Sequence, residues 1–441
     1  MPYRLASGAA CAALLCAAVL LFSCANGEKS VAVHREQLFT LSYGPAEDQI
    51  NLFQMDNGAN PQKTRMTMQE GIFYIANGNS AKVVRYSSFG DVLSMIYNPA
   101  KNPVPVLLKP VSPAKAAAGS VSGPSPAAPS SDGSTANSSL EGRRAVPYPF
   151  RAVGEIAVDS NQRIYVEDRL PPERHAVDKE SGAILDYVVL RFGKDGQFLD
   201  YLGQEGIGGT PFPYIVGLYT TPSDDCVVVS VTQDSWLVHW FDSRGNVVSA
   251  LRLRRDALPM PDKKKNLIAS LDKIVPDTEG RYLLIKIDYY RETVDPDTKS
   301  PSGVSFDSSW IYRMNPRDAS YSERWQLPDV EKTVKSGPNG ESVRDVRIPE
   351  LIGAAGNELF FMTGDDSGRT FLSTFDRTTH AISRYLIDVA PDEQYYDTFS
   401  LSSDGILCAL LGTKYEAKIV WWRFDLIIKG LGTDGSAGSG K

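Results

Sequence analysis

A strand and the turn that follows it recur along this chain, and this repeat restricts the possible folds more than any other feature. Each copy has an apolar residue, two further residues and an aromatic residue, with a turn residue four positions later. Two copies depart at one position, since Met314 replaces the aromatic residue and Ile428 replaces the turn residue. A short apolar run precedes every copy. The aromatic position is occupied in turn by Tyr86, Phe192, Phe241, Met314, Phe375 and Phe424.

Residues 155–212 contain the clearest complete unit of the repeat. Four strand-like stretches, separated mostly by Gly, Asp and Asn turn residues, lie at 156–159, 164–166, 186–192 and 197–202. Four short antiparallel strands of this kind are typical of one propeller blade. One blade cannot bury both faces of its sheet, whereas a closed ring of blades can. The six copies therefore predict an all-β fold, a β-propeller with six blades.

Two alternatives stay open. Strand spacing by itself also fits a pair of β-sandwiches, although copies in one common register favour the propeller. Residues 34–55 either add a strand that closes the ring or form part of a seventh blade.

The same unit, over residues 154–218, resembles the NHL-repeat propeller pattern. The resemblance lies in the strands at 156–159 and 164–166, in Phe192 with its turn at Gly196, and in the Gly-rich stretch 202–213. It implies a propeller of the NHL or YWTD kind. One departure is the loop at 167–183, which is longer than this family usually has.

The N-terminus has the pattern of a bacterial export signal. Arg4 is followed by an uncharged apolar run at 9–21, which is shorter than the roughly 20 residues that a spanning helix needs. The sequence Leu-Phe-Ser-Cys at 21–24 resembles the bacterial lipoprotein processing box. The resemblance implies cleavage before Cys24, a lipid on its sulfur and a membrane as partner at the cell envelope. The alternative is an ordinary secretory signal with an incidental cysteine.

Composition divides the chain further. In the segment 112–139, 23 of 28 residues are Ala, Ser, Pro or Gly, which predicts disorder because such a segment buries too little apolar surface to offset its ordering entropy. We predict the following divisions: 1–23 signal peptide, 24–33 tether, 34–99 N-terminal strap and first blade, 100–147 disordered insertion, 148–429 remaining blades, and 430–441 flexible tail.

Charge and cysteine content exclude some classes of function. The net charge of −7 and the absence of a basic block disfavour nucleic acid as a partner. The four histidines have no metal-ligand spacing, so we predict no cofactor and no metal. Cys226 and Cys408 each lie in an apolar run, which favours buried free thiols over a disulfide.

Long insertions, at 112–139, 167–183, 288–307 and 328–349, all fall between blades or between second and third strands. In a propeller these connections emerge on one face, which we therefore predict to be the binding face. The alternative for any single residue is a solvated loop. The candidate contacts are Asp168, Arg169, Arg174 and His175 in one loop, and Tyr289, Tyr290 and Arg291 in another.

The sequence contains no catalytic signature such as a Gly-x-Ser-x-Gly elbow. We therefore favour a lipid-anchored binding or scaffold module for a protein or glycan partner and predict no catalytic residue. Two alternatives are a periplasmic hydrolase or lyase with a metal in the channel, and an accessory lipoprotein of outer-membrane assembly.

Overall fold

The protein is described by a computed structural model. It describes residues 31–53, 62–111, 143–203, 209–261, 266–295, 297–328, 330–336, 342–365 and 367–429. Cys24, the predicted signal peptide, the segment 112–139 and the predicted tail lie outside these residues. Within the described residues, no helix is long and apolar enough to cross a membrane.

Two strands precede the first complete sheet, and sheet 1 then follows. The two early strands are β1 (Val31–Ala32) and β2 (Arg35–Ser42). Sheet 1 has six strands, in the order β3-β4-β5-β6-β8-β7. Its strands are β3 (Thr64–Gln69), β4 (Ile72–Asn77), β5 (Lys82–Tyr86), β6 (Val92–Tyr97), β7 (Lys109–Pro110) and β8 (Arg144–Pro147).

Sheets 2 and 3 are four-stranded and antiparallel. Sheet 2 contains β9 (Ile156–Val158), β10 (Ile164–Arg169), β13 (Tyr187–Phe192) and β14 (Phe198–Tyr201), and the small hairpin of β11 (Ala176–Val177) and β12 (Ile184–Leu185) lies between its second and third strands. Sheet 3 contains β15 (Tyr214–Thr220), β16 (Cys226–Val231), β17 (Ser235–Phe241) and β18 (Val247–Arg254).

Sheet 4 is followed by a separate hairpin and by sheet 5. Sheet 4 contains β19 (Leu267–Pro276), β20 (Leu283–Val294), β21 (Pro301–Met314) and β22 (Tyr321–Leu327), and the hairpin consists of β23 (Val330–Ser336) and β24 (Ser342–Arg347). Sheet 5 contains β25 (Glu350–Ala355), β26 (Glu358–Gly364), β27 (Thr370–Asp376) and β28 (Ile382–Ile387).

Sheet 6 joins the two ends of the described chain. It contains β29 (Tyr396–Leu401), β30 (Ile406–Gly412) and β31 (Glu416–Arg423), and the short helix α1 (Phe424–Ile428) follows. The fourth strand of the sheet is β2, which pairs antiparallel with β31. Of the two interpretations of residues 34–55, the strand that closes the ring is therefore confirmed.

The first strands of the sheets form a closed ring. They contact one another in the order β3, β9, β15, β19, β25 and β29, and β29 contacts β3 again. From each first strand the following strands extend outward in antiparallel pairs. β8 and β7 add parallel strands to the outer edge of sheet 1, and β2 completes sheet 6. The predicted all-β propeller fold is confirmed by this arrangement.

The repeat in the sequence corresponds to the third strand of each sheet. Its aromatic position lies within one residue of the end of β5, β13, β17, β21, β27 or β31, and each of these side chains is at most 3% exposed. Each one belongs to the hydrophobic cluster between its own sheet and the preceding sheet. Burying a side chain of this size contributes about 1.5–3 kcal/mol. Met314 can replace the aromatic residue because the position requires apolar volume.

Two turn positions of the repeat require glycine, because of the backbone conformation and the close approach of the preceding sheet. Gly196 and Gly245 have φ angles of 81° and 93°, which residues with a side chain rarely adopt. A Cβ at Gly245 would lie 2.8 Å from the guanidinium of Arg191 in sheet 2. Glycine at these turns therefore allows the preceding sheet to approach closely.

Several predicted boundaries were wrong. β1 lies within the predicted tether and pairs in parallel with β28. β7 and β8 lie within the predicted disordered insertion 100–147, because Leu108 and Ala145 are buried in the cluster between sheets 6 and 1. The low-complexity composition is confined to 112–139, whereas the flanking residues at 100–111 and 140–147 include apolar side chains that the fold buries.

Two predicted loops proved to be largely strand. Most of 288–307 continues β20 and β21 in one long hairpin, because its aromatic and β-branched residues fit a pleated surface. The segment 328–349 contains the hairpin of β23 and β24, whose turn lies outside the described residues. Cys226 and Cys408 are free and buried, as predicted.

Candidate functional site

The propeller has two unlike faces. On the short-turn face, tight turns join first to second strands and third to fourth strands. The loop-rich face carries the connections between sheets and those between second and third strands, including the hairpins β11–β12, β20–β21 and β23–β24. Binding residues commonly lie on loops that a rigid scaffold positions, so the loop-rich face is the candidate binding face.

Charged residues meet where the first strands begin. Lys63 and Glu155 directly precede β3 and β9, Glu350 begins β25, and Asp397 is the second residue of β29. Because the first strands lie side by side around the axis, their beginnings surround one mouth of the central channel. We call the following set the channel-mouth cluster: Lys63, Arg65, Glu155, Glu167, Lys273, Glu350 and Asp397.

Between sheets 1 and 2 the cluster is closed by ion pairs. Lys63 Nζ lies 2.9 Å from Glu167 Oε2 and 3.4 Å from Glu155 Oε1. It also donates a hydrogen bond of 2.6 Å to the carbonyl oxygen of Ile215. Arg65 Nε donates to Glu155 Oε1 at 3.0 Å. These charges therefore satisfy one another and hold the two sheets together.

Burial and ion pairing shift the pKa values of Lys63 and Glu167 in opposite directions. Burial opposes the charge of Lys63, but the carboxylates of Glu167 and Glu155 outweigh it and raise the pKa of the lysine. Burial raises the pKa of Glu167, while Lys63 partly opposes that shift. The lysine therefore stays charged at neutral pH and fixes the two carboxylates in place.

Between sheets 5 and 6 the cluster is open. Lys273 Nζ lies 3.5 Å from Glu350 Oε1, which is long for an ion pair. Asp397 and Glu350 are both exposed, and the side chain of Asp397 has no hydrogen bond or ion pair with any described residue. Burial raises the pKa of Asp397, and the charge of Glu350 raises it further. In this half of the channel mouth, Glu350 is paired with Lys273, and the Arg347 guanidinium donates to the carbonyl oxygen of nearby Gly364.

A cavity of about 390 Å³ lies beside these two carboxylates. Its volume is within the range of about 300–1,000 Å³ that is typical of small-molecule sites. Thr363 also contributes to its lining, but its side chain lies on the same face of β26 as Phe361, which packs towards sheet 4. The cavity is lined by Ile348, Glu350, Met362, Thr363, Gly364, Thr370, Val389, Gln394, Asp397 and Phe399.

Tyr219 lies between the paired and the open halves of the cluster. Burial raises the pKa of its hydroxyl, and the charges of Glu155 and Glu350 raise it further. Its ring packs against the backbone of Gly217, where a Cβ would lie 2.7 Å from a ring carbon. Glycine at position 217 therefore makes room for the tyrosine at the channel.

The candidate contacts in the first predicted loop differ in burial: Asp168 is buried, whereas Arg169 and His175 are exposed. Asp168 is 5% exposed, and its carboxylate accepts hydrogen bonds from the backbone N–H groups of Arg151, Ala152 and Arg169. Burial raises the pKa of Asp168 to about 6. It therefore anchors the segment before β9 and is not exposed to a partner, which corrects its predicted role as a surface contact.

The other three residues of this loop lie nearer the surface. The guanidinium of Arg169 donates to the hydroxyl of Tyr187 at 2.8 Å. The guanidinium of Arg174 lies 5.1 Å from the ring centre of Tyr201. His175 Nε2 lies 3.1 Å from the carbonyl oxygen of Leu170. A role in binding stays a prediction for these three residues.

The second predicted set lies on β20 rather than in a loop. Tyr289 is fully buried, and its hydroxyl donates to the hydroxyl of Tyr312 at 3.0 Å, so its predicted exposure was wrong. Tyr290 is half-buried against Phe306, with ring centres 6.0 Å apart. Arg291 is exposed and pairs with Asp307. The set is therefore divided by the alternation of the strand, which turns Tyr289 inward.

The channel-mouth cluster was not predicted from the sequence. No motif connects Lys63, Glu155, Glu350 and Asp397 in the sequence, since they lie in four different repeats. One signal was present: each is a charged residue within two positions of the start of a first strand. Among the described residues, no three His, Cys, Asp or Glu side chains are grouped so that they could hold a metal ion.

Comparison with known proteins gives similarity in structure only. No protein-family model and no curated protein matches the chain. The β-propeller domain of the Trilobed protease from Pyrococcus furiosus is 7% identical, with a TM-score of 0.33, and the match covers 62% of this chain and 83% of that chain. The Dos1 propeller is 9% identical, with a TM-score of 0.32, and the match covers 89% of this chain and 95% of that chain. TolB from Acinetobacter baumannii is 8% identical, with a TM-score of 0.31, and the match covers 65% of this chain and 58% of that chain. The assignment of this chain to the β-propellers rests on its own strand topology.

Proposed function

We propose that this chain is a binding module that takes up a protein partner on the loop-rich face of its propeller. The observation that carries the proposal is the unequal distribution of exposed apolar side chains between the two faces. On the short-turn face there are eight: Phe89, Leu199, Val247, Val248, Tyr321, Ile382, Leu426 and Ile428. On the loop-rich face they are Phe53, Val104, Val106, Leu107, Val177, Ile184, Tyr214, Met260, Ile268, Val294, Val304, Tyr395 and Tyr415.

Exposed apolar surface of this kind supports a protein partner. Apolar side chains gathered on one face commonly mark an interaction surface, and aromatic residues are enriched in the buried centres of interfaces. The side chains of Val106 and Val104 are 90% and 78% exposed, on the segment that joins sheets 1 and 2. Charged groups at the channel mouth add orientation and specificity to such a surface.

A lipid on Cys24 would place this face at the cell envelope. The support is the resemblance of residues 21–24 to the lipoprotein processing box. Two or three acyl chains anchor stably, whereas a single chain is marginal. We expect a palmitate analogue to label the protein in cells and a Cys24→Ala variant to lose the label. A labelled variant would contradict the anchor without affecting the binding proposal.

Two matched variants test the binding proposal. Val106→Asp with Leu107→Asp places charge on the loop-rich face, and Phe89→Asp places charge on the short-turn face. All three side chains are more than half exposed, so we expect each variant to fold normally. Crosslinking in intact cells should give a specific adduct with the unsubstituted chain and with Phe89→Asp, and a weaker adduct with the double variant. Equal loss from both variants would contradict the proposal.

A further inference from the structure

We propose that Arg252 on β18 binds a carboxylate of the partner, and that two carboxylates of the β11–β12 hairpin occupy its guanidinium until the partner displaces them. An aspartate or glutamate side chain of a protein carries this chemistry, and a free carboxylate shares it. The proposal deepens the proposed function, and it rests on that function for taking the loop-rich face as the binding face.

The present contacts of Arg252 show that its guanidinium can hold carboxylates. Its Nη2 atom lies 2.8 Å from Asp178 Oδ2, and its Nε atom lies 2.8 Å from Glu180 Oε2. Both carboxylates belong to the turn that joins β11 to β12. The side chain of Glu180 is 73% exposed, and an exposed ion pair contributes little to stability. A carboxylate from another chain can therefore replace that of Glu180.

The β11–β12 hairpin is separate from the sheets beside it. Among the described residues, its two strands pair only with each other. Val177 and Ile184 are register partners across the hairpin, and they are 63% and 60% exposed. The hairpin can therefore move away from Arg252 while the strand pairing of sheets 2 and 3 stays intact.

Buried polar atoms on the same face of sheet 3 point independently to a ligand. Arg252 Nη1, His239 Nδ1 and Ser230 Oγ are buried and have no hydrogen-bond partner among the described residues. Leu237 on β17 is the register partner of both Ser230 and Arg252. His239 is two residues further along β17, so all four side chains lie on the face that packs against sheet 2. Buried polar atoms usually have a partner, so these atoms favour a ligand that accepts hydrogen bonds.

The charge of the site selects an anion. Burial, with a smaller contribution from the positive charge of Arg252, lowers the pKa of His239 to about 4. The imidazole is therefore neutral at pH 7. Departure of Asp178 and Glu180 leaves the positive charge of Arg252 beside this neutral ring. A guanidinium has five N–H donors in a planar fork that matches a carboxylate.

Calorimetric titration of the purified full chain with two matched tripeptides tests the proposal. The acidic probe is acetyl-Asp-Lys-Glu amide, which copies residues 178–180, and the neutral probe is acetyl-Asn-Lys-Gln amide. The hairpin variant combines Asp178→Asn with Glu180→Gln, which removes both carboxylates and keeps the size of the side chains. We expect it to bind the acidic probe roughly tenfold more tightly than the neutral probe, and roughly tenfold more tightly than the unsubstituted chain does.

Three results would overturn the proposal. They are equal affinity of the hairpin variant for the two probes, binding of neither probe, and equal affinity of the hairpin variant and the unsubstituted chain for the acidic probe. Titration of the hairpin variant with sodium acetate then separates the sources, since saturable binding of acetate shows that the site also accepts a free carboxylate.

Arginine variants locate the binding. Arg252→Gln, added to the hairpin variant, should weaken binding of the acidic probe by roughly tenfold. It leaves neither carboxylate of the hairpin without its partner, so we expect it to fold. The control adds Arg254→Gln instead, because Arg254 lies on the same strand and pairs with Asp256. It should leave the affinity unchanged, and an equal loss from this control would overturn the proposal.

The outcomes also separate this proposal from the proposed function. If the hairpin variant binds the acidic probe while the cellular adduct does not depend on Val106 and Leu107, the carboxylate site stands and the proposed function fails. If the hairpin variant binds neither probe while the adduct depends on those two residues, the carboxylate site fails and the proposed function stands.

Discussion

Glu393 connects the closing strand of the ring to its neighbours. Its side chain is 3% exposed and accepts hydrogen bonds from Arg35 Nη1 at 2.6 Å and Lys418 Nζ at 2.9 Å. Burial opposes the ionisation of Glu393, but the hydrogen bonds from Arg35 and Lys418 outweigh it and lower its pKa to about 2. One carboxylate therefore links β2, β31 and the connection between sheets 5 and 6.

This pKa predicts a loss of stability in acid. The folded-state pKa of Glu393 lies below its ordinary value of about 4.3, so the unfolded chain takes up the proton first as the pH falls. Its contribution is present above about pH 4.3 and is lost as the pH falls towards about 2. Glu393→Gln should reduce the free energy of unfolding at pH 7 by about 3 kcal/mol, measured by urea denaturation. The control is Asp392→Asn, an exposed neighbour, and an equal effect of both variants would contradict the assignment.

Gly217 gives a second test at the level of one residue. A Cβ at this position would lie 2.7 Å from the ring of Tyr219, so Gly217→Ala should displace the tyrosine and lower the free energy of unfolding by about 1–3 kcal/mol. Gly368→Ala is the control, because no atom lies within 4 Å of the added Cβ, although its φ of 78° imposes some backbone strain. Thermal unfolding measures both variants. A smaller loss for Gly217→Ala than for the control would show that the ring does not need this space.

The third strand of each sheet was predictable from the sequence, whereas the channel-mouth cluster was not. An aromatic residue such as Phe192 recurs because each sheet packs against the preceding one in the same way. Lys63 and Glu167 are 104 positions apart, and their contact arises only when sheets 1 and 2 pack against each other. Tyr289 was misplaced because its segment was taken as a loop, so the alternation of β20 was not applied to it.

The β20–β21 hairpin can be shortened without loss of the fold. Residues 292–295 and 302–305 are mostly exposed, so replacing 292–304 by Asn-Gly, between the register partners Arg291 and Ser305, should change the free energy of unfolding by no more than about 0.5 kcal/mol. Thermal unfolding is the measurement.

Asp288→Ala, a substitution in the buried part of the same hairpin, serves as the comparison for shortening its tip. Asp288 pairs at 2.7 Å with Lys286, which is fully buried. Asp288→Ala leaves that lysine with Asp272 alone and should cost about 3 kcal/mol. If shortening the tip destabilises the chain as much as Asp288→Ala does, then the tip is part of the folded core.

Closure of the whole ring depends on β2. Its Phe39 and Leu41 lie in the hydrophobic cluster between sheets 6 and 1, so a chain that begins at Gly44 should lose cooperative unfolding because sheet 6 lacks its fourth strand. A chain that begins at Val33 lacks only β1 and should unfold cooperatively. Circular dichroism during heating distinguishes the two. Cooperative unfolding of the shorter chain at an unchanged temperature would show that the ring closes without β2.

If Cys24 carries the proposed lipid, the position of β1 limits how far the molecule can extend from the membrane. Seven positions separate Cys24 from Val31, the first residue of β1. At roughly 3.3–3.6 Å per residue the connection spans at most about 25 Å. A propeller anchored in this way would remain close to its membrane, and its partner would have to reach the loop-rich face there.

Site-specific photo-crosslinking tests the binding face most directly. Tyr415, on the loop-rich face, and Phe89, on the short-turn face, are 79% and 86% exposed, so a photoreactive phenylalanine at either position should not disturb the fold. Irradiation of intact cells should give a discrete crosslinked species from position 415 and none from position 89. A discrete species from position 89 alone would contradict a binding site on the loop-rich face.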